Sequence, residues 1–343
     1  MRFNRDLFSF VFPPLVVALM VAMQSVPSAS AGKPEIISVK KIWDRGKHNA
    51  FTDLIRFRDR FYCVFRESEA HVGGDGKLRV LVSQDGDHWK SAALIAEKGI
   101  DLRDPKLSIT PDNQLMIVAG GSVYRGGTKI LGRQPRVMFS KNGKKWTPPL
   151  RVLEEGDWLW RVTWRNGIAY GVSYRTAPPK GQSAKSSDWL LVLYKSSNGK
   201  KWERVTELQV PNRPNETTLR FLPDGKMVAL VRREAGNRFG WIGTAEAPYK
   251  KWNWTETRHR LGGPNFIRLP DGKLWAGSRS YPGGAKTVLA SMTTTEYKPV
   301  LTLPSGGDTS YPGLVWHEGV LWMSYYSSHQ GKTSIYLAKI RLN

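Results

Sequence analysis

The feature that most limits what this 343-residue chain can fold into is a motif it repeats. SQDGDHW (Ser83–Trp89), SKNGKKW (Ser140–Trp146) and SSNGKKW (Ser196–Trp202) all fit Ser-x-Asp/Asn-Gly-x-x-Trp. They recur at a spacing of about 56 residues. Asp or Asn before Gly makes a tight turn, because the side chain bonds backbone amides and Gly supplies the backbone angle. The Trp then folds under the turn as an apolar plug.

A second outline alternates with the first: two short strands joined by a turn. It appears in Phe51–Glu67, Arg103–Gly121, Trp160–Arg175, Glu216–Arg233, Asn265–Ser280 and Tyr311–Ser328. After each of the first five copies come two further strands. In copies four and five the Ser-x-Asp-Gly-x-x-Trp turn has decayed, and APYKKW (Ala247–Trp252) is a remnant in copy four. Gly and Pro punctuate short runs rich in Val, Leu, Trp and Tyr, and no amphipathic helix stands out, which is an all-β signature. Six copies of a four-stranded antiparallel unit predict a six-bladed β-propeller. The last copy has only one further strand, Thr333–Leu342, so Glu35–Trp43 is expected to supply its outermost strand and close the ring.

Residues 1–31 read as a secretory leader: Arg2 and Arg5, an apolar run from Leu15 to Met23, and Ala29-Ser30-Ala31 before the cleavage point. The expectation is a secreted or periplasmic protein, one domain over 32–343, no membrane span after cleavage, and a monomer. Cys63 is the only cysteine, so no intrachain disulfide is possible. The formal charge of +23 favours acidic partners. With no basic helix and no RNA-binding signature, an acidic glycan is expected rather than nucleic acid. The six histidines show no metal-ligand spacing, and no cofactor is expected.

In a propeller, the starts of first strands and the ends of second strands share one mouth. Blade by blade these positions carry His48, Asn49, Asp53, Arg66, Glu67, Glu69 and His71; Arg103 and Asp104; Trp160, Arg161, Tyr174 and Arg175; Glu216, Arg232 and Arg233; Asn265, Arg279 and Tyr281; Asp308, Tyr311, Tyr325, Tyr326 and His329. Arginines around one opening make an anion clamp, since guanidinium is a planar fork for carboxylate, sulfate or phosphate. The competing reading is that these arginines bridge blades by pairing with Asp53, Asp104 or Glu216.

The chain resembles the sialidases, six-bladed propellers with an Asp box at this place in the blade. Asn215-Glu216, Asp224-Gly225 and Arg232 resemble that family's glutamate-to-arginine segment. LPDGKLWAGSR, ending at Arg279, resembles its third-arginine segment, and SYPGLV followed by GVLWMSYY resembles its nucleophile segment. The resemblance implies a tyrosine nucleophile at Tyr311, Glu216 as its partner, and Arg232 and Arg279 on the substrate carboxylate. Blade one departs: NAFTDL (Asn49–Leu54) lacks the family's arginine, and Arg66, Arg103 or Arg161 are the candidates to replace it. The acid/base is expected within Glu67–Gly76, with Glu67 or His71 preferred. Asp53, Asp104, Tyr326 and His329 complete the expected substrate-binding set. The first hypothesis is thus a glycoside hydrolase acting on terminal sialic acid or a related acidic sugar. The alternatives are a glycan-binding propeller without catalysis, and a polysaccharide lyase on uronate-containing glycans.

Overall fold

Side chains alternate across a strand, so an apolar run such as Leu115–Ala119 must be covered on both faces. In the computed structural model this is met by stacking six four-stranded antiparallel sheets around an axis. The structure describes residues 1–2, 33–124, 127–176 and 189–343. Apart from its first two residues the leader expected at 1–31 lies outside them, as does nearly all of the insert Thr176–Asp188. No helix among the described residues is long and apolar enough to cross a membrane.

Strand β1 (Glu35–Trp43) precedes the first sheet, β2 (His48–Phe57), β3 (Arg60–Ser68), β4 (Lys77–Ser83) and β5 (Lys90–Ile95). The second sheet is β6 (Asp101–Ile109), β7 (Leu115–Tyr124), β8 (Ile130–Ser140) and the two-residue β9 (Leu150–Arg151). The third is β10 (Trp158–Arg165), β11 (Ile168–Arg175), β12 (Leu190–Ser196) and β13 (Glu203–Glu207). The fourth is β14 (Pro214–Phe221), β15 (Met227–Arg233), β16 (Phe239–Ala245) and β17 (Asn253–Arg260). The fifth is β18 (Asn265–Arg268), β19 (Leu274–Ser280), β20 (Lys286–Met292) and β21 (Tyr297–Thr302). The sixth holds β22 (Thr309–His317), β23 (Val320–Ser327) and β24 (Ser334–Arg341), with β1 antiparallel on its outer edge from Glu35 opposite Arg341 to Trp43 opposite Ile335. The ring therefore closes between the two ends of the folded chain, as the strand count required.

There is no single core. Five of the six apolar clusters each fill the gap between two neighbouring sheets, and the sixth, between the last and first sheets, also takes in Trp158 and Trp160 of the third. The repeated turns lock those gaps. In the first, Asp85 Oδ1 accepts from the amides of Asp87 and His88, both at 2.8 Å, and the Trp89 indole donates to the Gly86 carbonyl at 2.9 Å. Trp146 and Trp202 make the same bond to Gly143 and Gly199, at 3.1 Å. Each of these glycines lies against the second strand of the preceding blade: Gly86 on Trp322, Gly143 on Tyr62, Gly199 on Met116. In the APYKKW remnant, Tyr249 stands where Gly stood. Its φ is 63°, its carbonyl takes the Trp252 indole at 3.0 Å, and its ring packs on Tyr170 and Phe221.

The axis is filled by polar side chains from the inner strands. Arg161 Nη1 donates to Asp53 Oδ2 at 2.7 Å, and the Leu107 amide donates to the same oxygen. Lys106 Nζ donates to the carbonyls of Pro105 and Thr52, at 3.1 and 3.4 Å. Arg220 donates to Thr163 Oγ1, the Leu219 carbonyl and Asn265 Oδ1. This plug is the floor of the mouth.

Candidate functional site

Five of the six inner strands slip register by one residue just below the mouth: β2, β6, β10, β14 and β22. The pairs 51–52, 104–105, 160–161, 215–216 and 311–312 each oppose a single residue of the second strand. Such a bulge turns side chains out of the strict in–out alternation and aims them elsewhere. Here they are aimed over the axis. Phe51, Asp104 and Tyr311 reach that direction with left-handed backbone angles of 65°, 53° and 53°. Non-glycine residues rarely adopt such angles except where surrounding structure enforces them.

At the centre, Tyr311 Oη donates to Glu216 Oε1 at 2.5 Å. The other carboxylate oxygen accepts from Arg232 Nη1 at 2.7 Å and the Gly263 amide at 2.8 Å. Arg232 Nη1 also lies 3.2 Å from Tyr311 Oη, and its Nη2 pairs with Glu234. Burial opposes ionisation of Glu216, but Arg232, Tyr311 and the amide overcome it and hold the carboxyl below its ordinary value. Burial, with Glu216 alongside, pushes the Tyr311 phenol far up, so this pair stores its proton on the tyrosine.

Around this dyad stand two more arginines. Arg279 Nε donates to the Thr309 carbonyl at 2.7 Å and its Nη2 to Tyr326 Oη at 3.0 Å, with its guanidinium 5.7 Å from the Tyr311 ring centre. Arg103 stacks on Phe51 at 4.9 Å and donates to Tyr124 Oη. Asp104, beside it, is buried, and its Oδ1 has no protein partner. Burial raises its carboxyl above the ordinary value despite Arg103 and Lys106. Below them Lys106 sits under the rings of Trp160 (4.8 Å) and Tyr311 (5.6 Å), and burial, with Arg161 nearby, lowers its ammonium to about 8.

The expected residues separate into two groups. Tyr311, Glu216, Arg232, Arg279, Arg103, Asp104, Tyr326 and His71 come together at the mouth. His71 stacks edge-on against Phe51 at 5.1 Å and bonds Asp308. The others do not join them. Arg66 is fully buried, with Nε on Asp101 at 2.7 Å and Nη1 on the Ala70 carbonyl, so it anchors the loop that follows it instead of reaching the substrate side of the mouth. Arg161 and Asp53 are spent on each other in the axial plug. Glu67 forms a two-pronged pair with Arg79 and accepts from the Trp43 indole. His329 turns to Ser327 and stacks on Tyr336 at 4.9 Å. Sequence reasoning placed Asp308 at the mouth without assigning it a role, and passed over Lys106, Phe51 and Glu234 as site residues. Lys106 reads in sequence as one more residue of an inner strand, and the bulge beside it shows only once the strands are paired.

No family model matches this sequence, and no curated protein matches it. Solved structures do. A protein of unknown function from Dyadobacter fermentans superposes with TM-score 0.79 at 18% identity, over 91% of this chain and 100% of that one. The GH93 α-L-arabinofuranosidase of Fusarium graminearum, solved with arabinobiose, gives 0.69 at 14%, over 90% and 98%. Trypanosoma rangeli sialidase, solved with sialic acid, gives 0.63 at 11%; the match covers 91% of this chain and 59% of that one. At these identities the likeness is one of fold: a six-bladed propeller built like those of glycoside hydrolases.

Proposed function

We propose that this protein is a retaining glycoside hydrolase for an acidic sugar, with Tyr311 as nucleophile. The observation that carries the reading is the 2.5 Å bond from Tyr311 Oη to Glu216 Oε1, backed on the other oxygen by Arg232. A phenol buried at neutral pH is a poor nucleophile until something takes its proton. Glu216 is in place to take it as the phenol oxygen bonds the anomeric carbon and the glycosidic C–O bond breaks. The net negative charge stays on the Tyr311–Glu216 unit until the new bond consumes it, and Arg232 faces it throughout. A phenol in place of a carboxylate nucleophile also spares an anionic sugar a second negative charge at the reacting carbon.

The leaving oxygen needs a proton. Glu67 is held by Arg79, and His71 by Asp308. Asp104 is the mouth carboxyl whose burial keeps it protonated above the ordinary range. It is assigned as the acid, and as the base that activates water in the second step. Arg103, Arg232 and Arg279 are assigned to the substrate anion.

A second reading, a hydrolase of neutral furanosides, is favoured by one observation. Each of those arginines already has a carboxylate close by: Asp101 at 3.6 Å, Glu216 at 2.7 Å and Asp308 at 3.8 Å. Fluorogenic sialoside, glucuronide and arabinofuranoside, offered to the wild type and to Tyr311→Phe, separate the readings. Release from an acidic glycoside, lost in the variant, supports the first; release from the arabinofuranoside alone supports the second. Release that Tyr311→Phe leaves intact removes the tyrosine from both.

A further inference from the structure

On the blade-one side of the mouth, three side chains converge that the hydrolase reading does not use. His48 Nε2 lies 3.0 Å and His71 Nδ1 2.6 Å from the same oxygen, Asp308 Oδ2. All three ligand-type atoms lie within 4.8 Å of one another. We propose that His48, His71 and Asp308 form a binding site for a divalent first-row transition ion, with Zn2+ as its foremost occupant.

Four features of the geometry point this way. The two imidazoles stand nearly perpendicular, 79° apart with ring centres at 5.5 Å, and turn different nitrogens toward one point. The carboxylate is aimed by the protein: Asp308 Oδ1 accepts from Tyr326 Oη at 2.9 Å, which leaves Oδ2 facing the imidazoles. Such outer bonds fix the orientation of metal ligands. His48 Nδ1 has no hydrogen-bond partner among the described residues, so no neighbour fixes the tautomer and the ring can present the Nε2 lone pair with its proton on Nδ1. Finally, the site is half open. His48 is buried, whereas the His71 side chain is 49% exposed, which gives an ion an entry path and leaves coordination positions toward the mouth.

Two nitrogens and one oxygen suit zinc and its neighbours. They do not suit calcium or magnesium, which take oxygen ligands in larger number. Three protein ligands leave at least one position for water or for a ligand oxygen. Phe51 separates this point from the dyad, packing on His71 and on Tyr311 at 5.1 Å each. A hydroxyl or carboxylate oxygen on a sugar held over Tyr311 is therefore the class of ligand that the open position would take. The sequence offers no spacing for such a site, since the ligands come from positions 48, 71 and 308 and meet only where the first and last blades join.

The test needs no substrate, so it is independent of the hydrolase reading. Tag-free protein is stripped with chelator and titrated with Zn2+ and, separately, with Co2+, using calorimetry and visible absorption. The expected result is one ion per chain, with a Co2+ spectrum of mixed nitrogen and oxygen ligation. His48→Ala and Asp308→Asn should each weaken binding by more than about 100-fold, and Tyr326→Phe, which frees the carboxylate, by about tenfold. His71→Asn is the second ligand variant, chosen because its exposed position makes it tolerant. Far-ultraviolet dichroism and melting without metal confirm that each variant is folded. No uptake by folded wild type overturns the proposal, as does uptake that His71→Asn leaves unchanged. The three residues are then a hydrogen-bonded cluster only.

Discussion

Chemistry at the residue scale rests on how burial divides protons among neighbours. Glu216 and Asp104 are both buried carboxyls near the axis, yet they move in opposite directions, because Glu216 has a guanidinium in contact and Asp104 has an unpartnered oxygen. Removing the base should be costly: Glu216→Gln is expected to lower kcat by about 10²–10⁴-fold on whichever glycoside the wild type cleaves. The two carboxyls also leave opposite marks on stability. Glu216 is depressed in the folded state, so its contribution is present at neutral pH and lost as pH falls through its folded value. Asp104 is raised, so its contribution is present in acid and lost as pH rises through its folded value. Melting of Asp104→Asn should therefore gain on the wild type as pH rises above the ordinary carboxyl value of 3.8, whereas Glu216→Gln should lose on it as pH rises toward the ordinary value of 4.5. Lys106 makes a third case. Its ammonium is lowered from 10.5 to about 8, so between those values the unfolded chain binds more protons and wild-type stability rises with pH. The stability of Lys106→Met relative to wild type should fall across that interval. A flat difference would mean that Lys106 is not held as a buried cation.

Among the elements, the repeated turn does more than reverse the chain. Its Gly is the point at which one blade touches the next, and what it touches differs. A Cβ on Gly86 or Gly143 would meet an aromatic ring at 2.3 or 2.2 Å, whereas on Gly199 it would meet the flexible end of Met116 at 3.1 Å. All three have φ near 70°, so each Gly→Ala change costs about 1–2 kcal/mol in the backbone. Overpacking adds about 1–3 kcal/mol where the neighbour cannot yield. Chemical denaturation should therefore rank Gly86→Ala and Gly143→Ala as clearly more damaging than Gly199→Ala. Equal losses would place the whole effect in the turn. The inner strands carry the other element-level device, the one-residue slip. The turns were legible in sequence because Asp-Gly and Asn-Gly are local signals. The slips were not, because a bulge is a relation between two strands and no single residue type demands it.

For the molecule as a whole, the joint between β1 and β24 decides whether the ring holds. Trp43 is buried there, and its indole bonds Glu67 of the first blade. Asp87, from the first repeated turn, reaches Lys40 on β1 and Lys339 on β24 at 2.7 and 3.0 Å. Deleting residues 33–43 would bare the edge of β24 and empty the Trp43 site. Removing a core Trp alone costs about 3–5 kcal/mol, out of the about 5–15 kcal/mol that a domain has. The truncated chain is expected to lose cooperative melting and to aggregate; a sharp transition at the wild-type temperature would show that the other five blades hold the ring without the joint. Blade number, blade order and this closure followed from the sequence by itself, because they are written in alternating apolar runs and a repeat of about fifty residues. Only the tertiary structure decided which strand-end charges are free for chemistry. Arg66 and Arg161 look in sequence like Arg232 and Arg279, yet Arg66 finds a buried carboxylate in the next blade, Arg161 finds one across the axis, and the last two face the mouth. That choice depends on which way each bulge turns a side chain and on partners as many as 260 positions apart, as between His48 and Asp308, and nothing local in the chain encodes either.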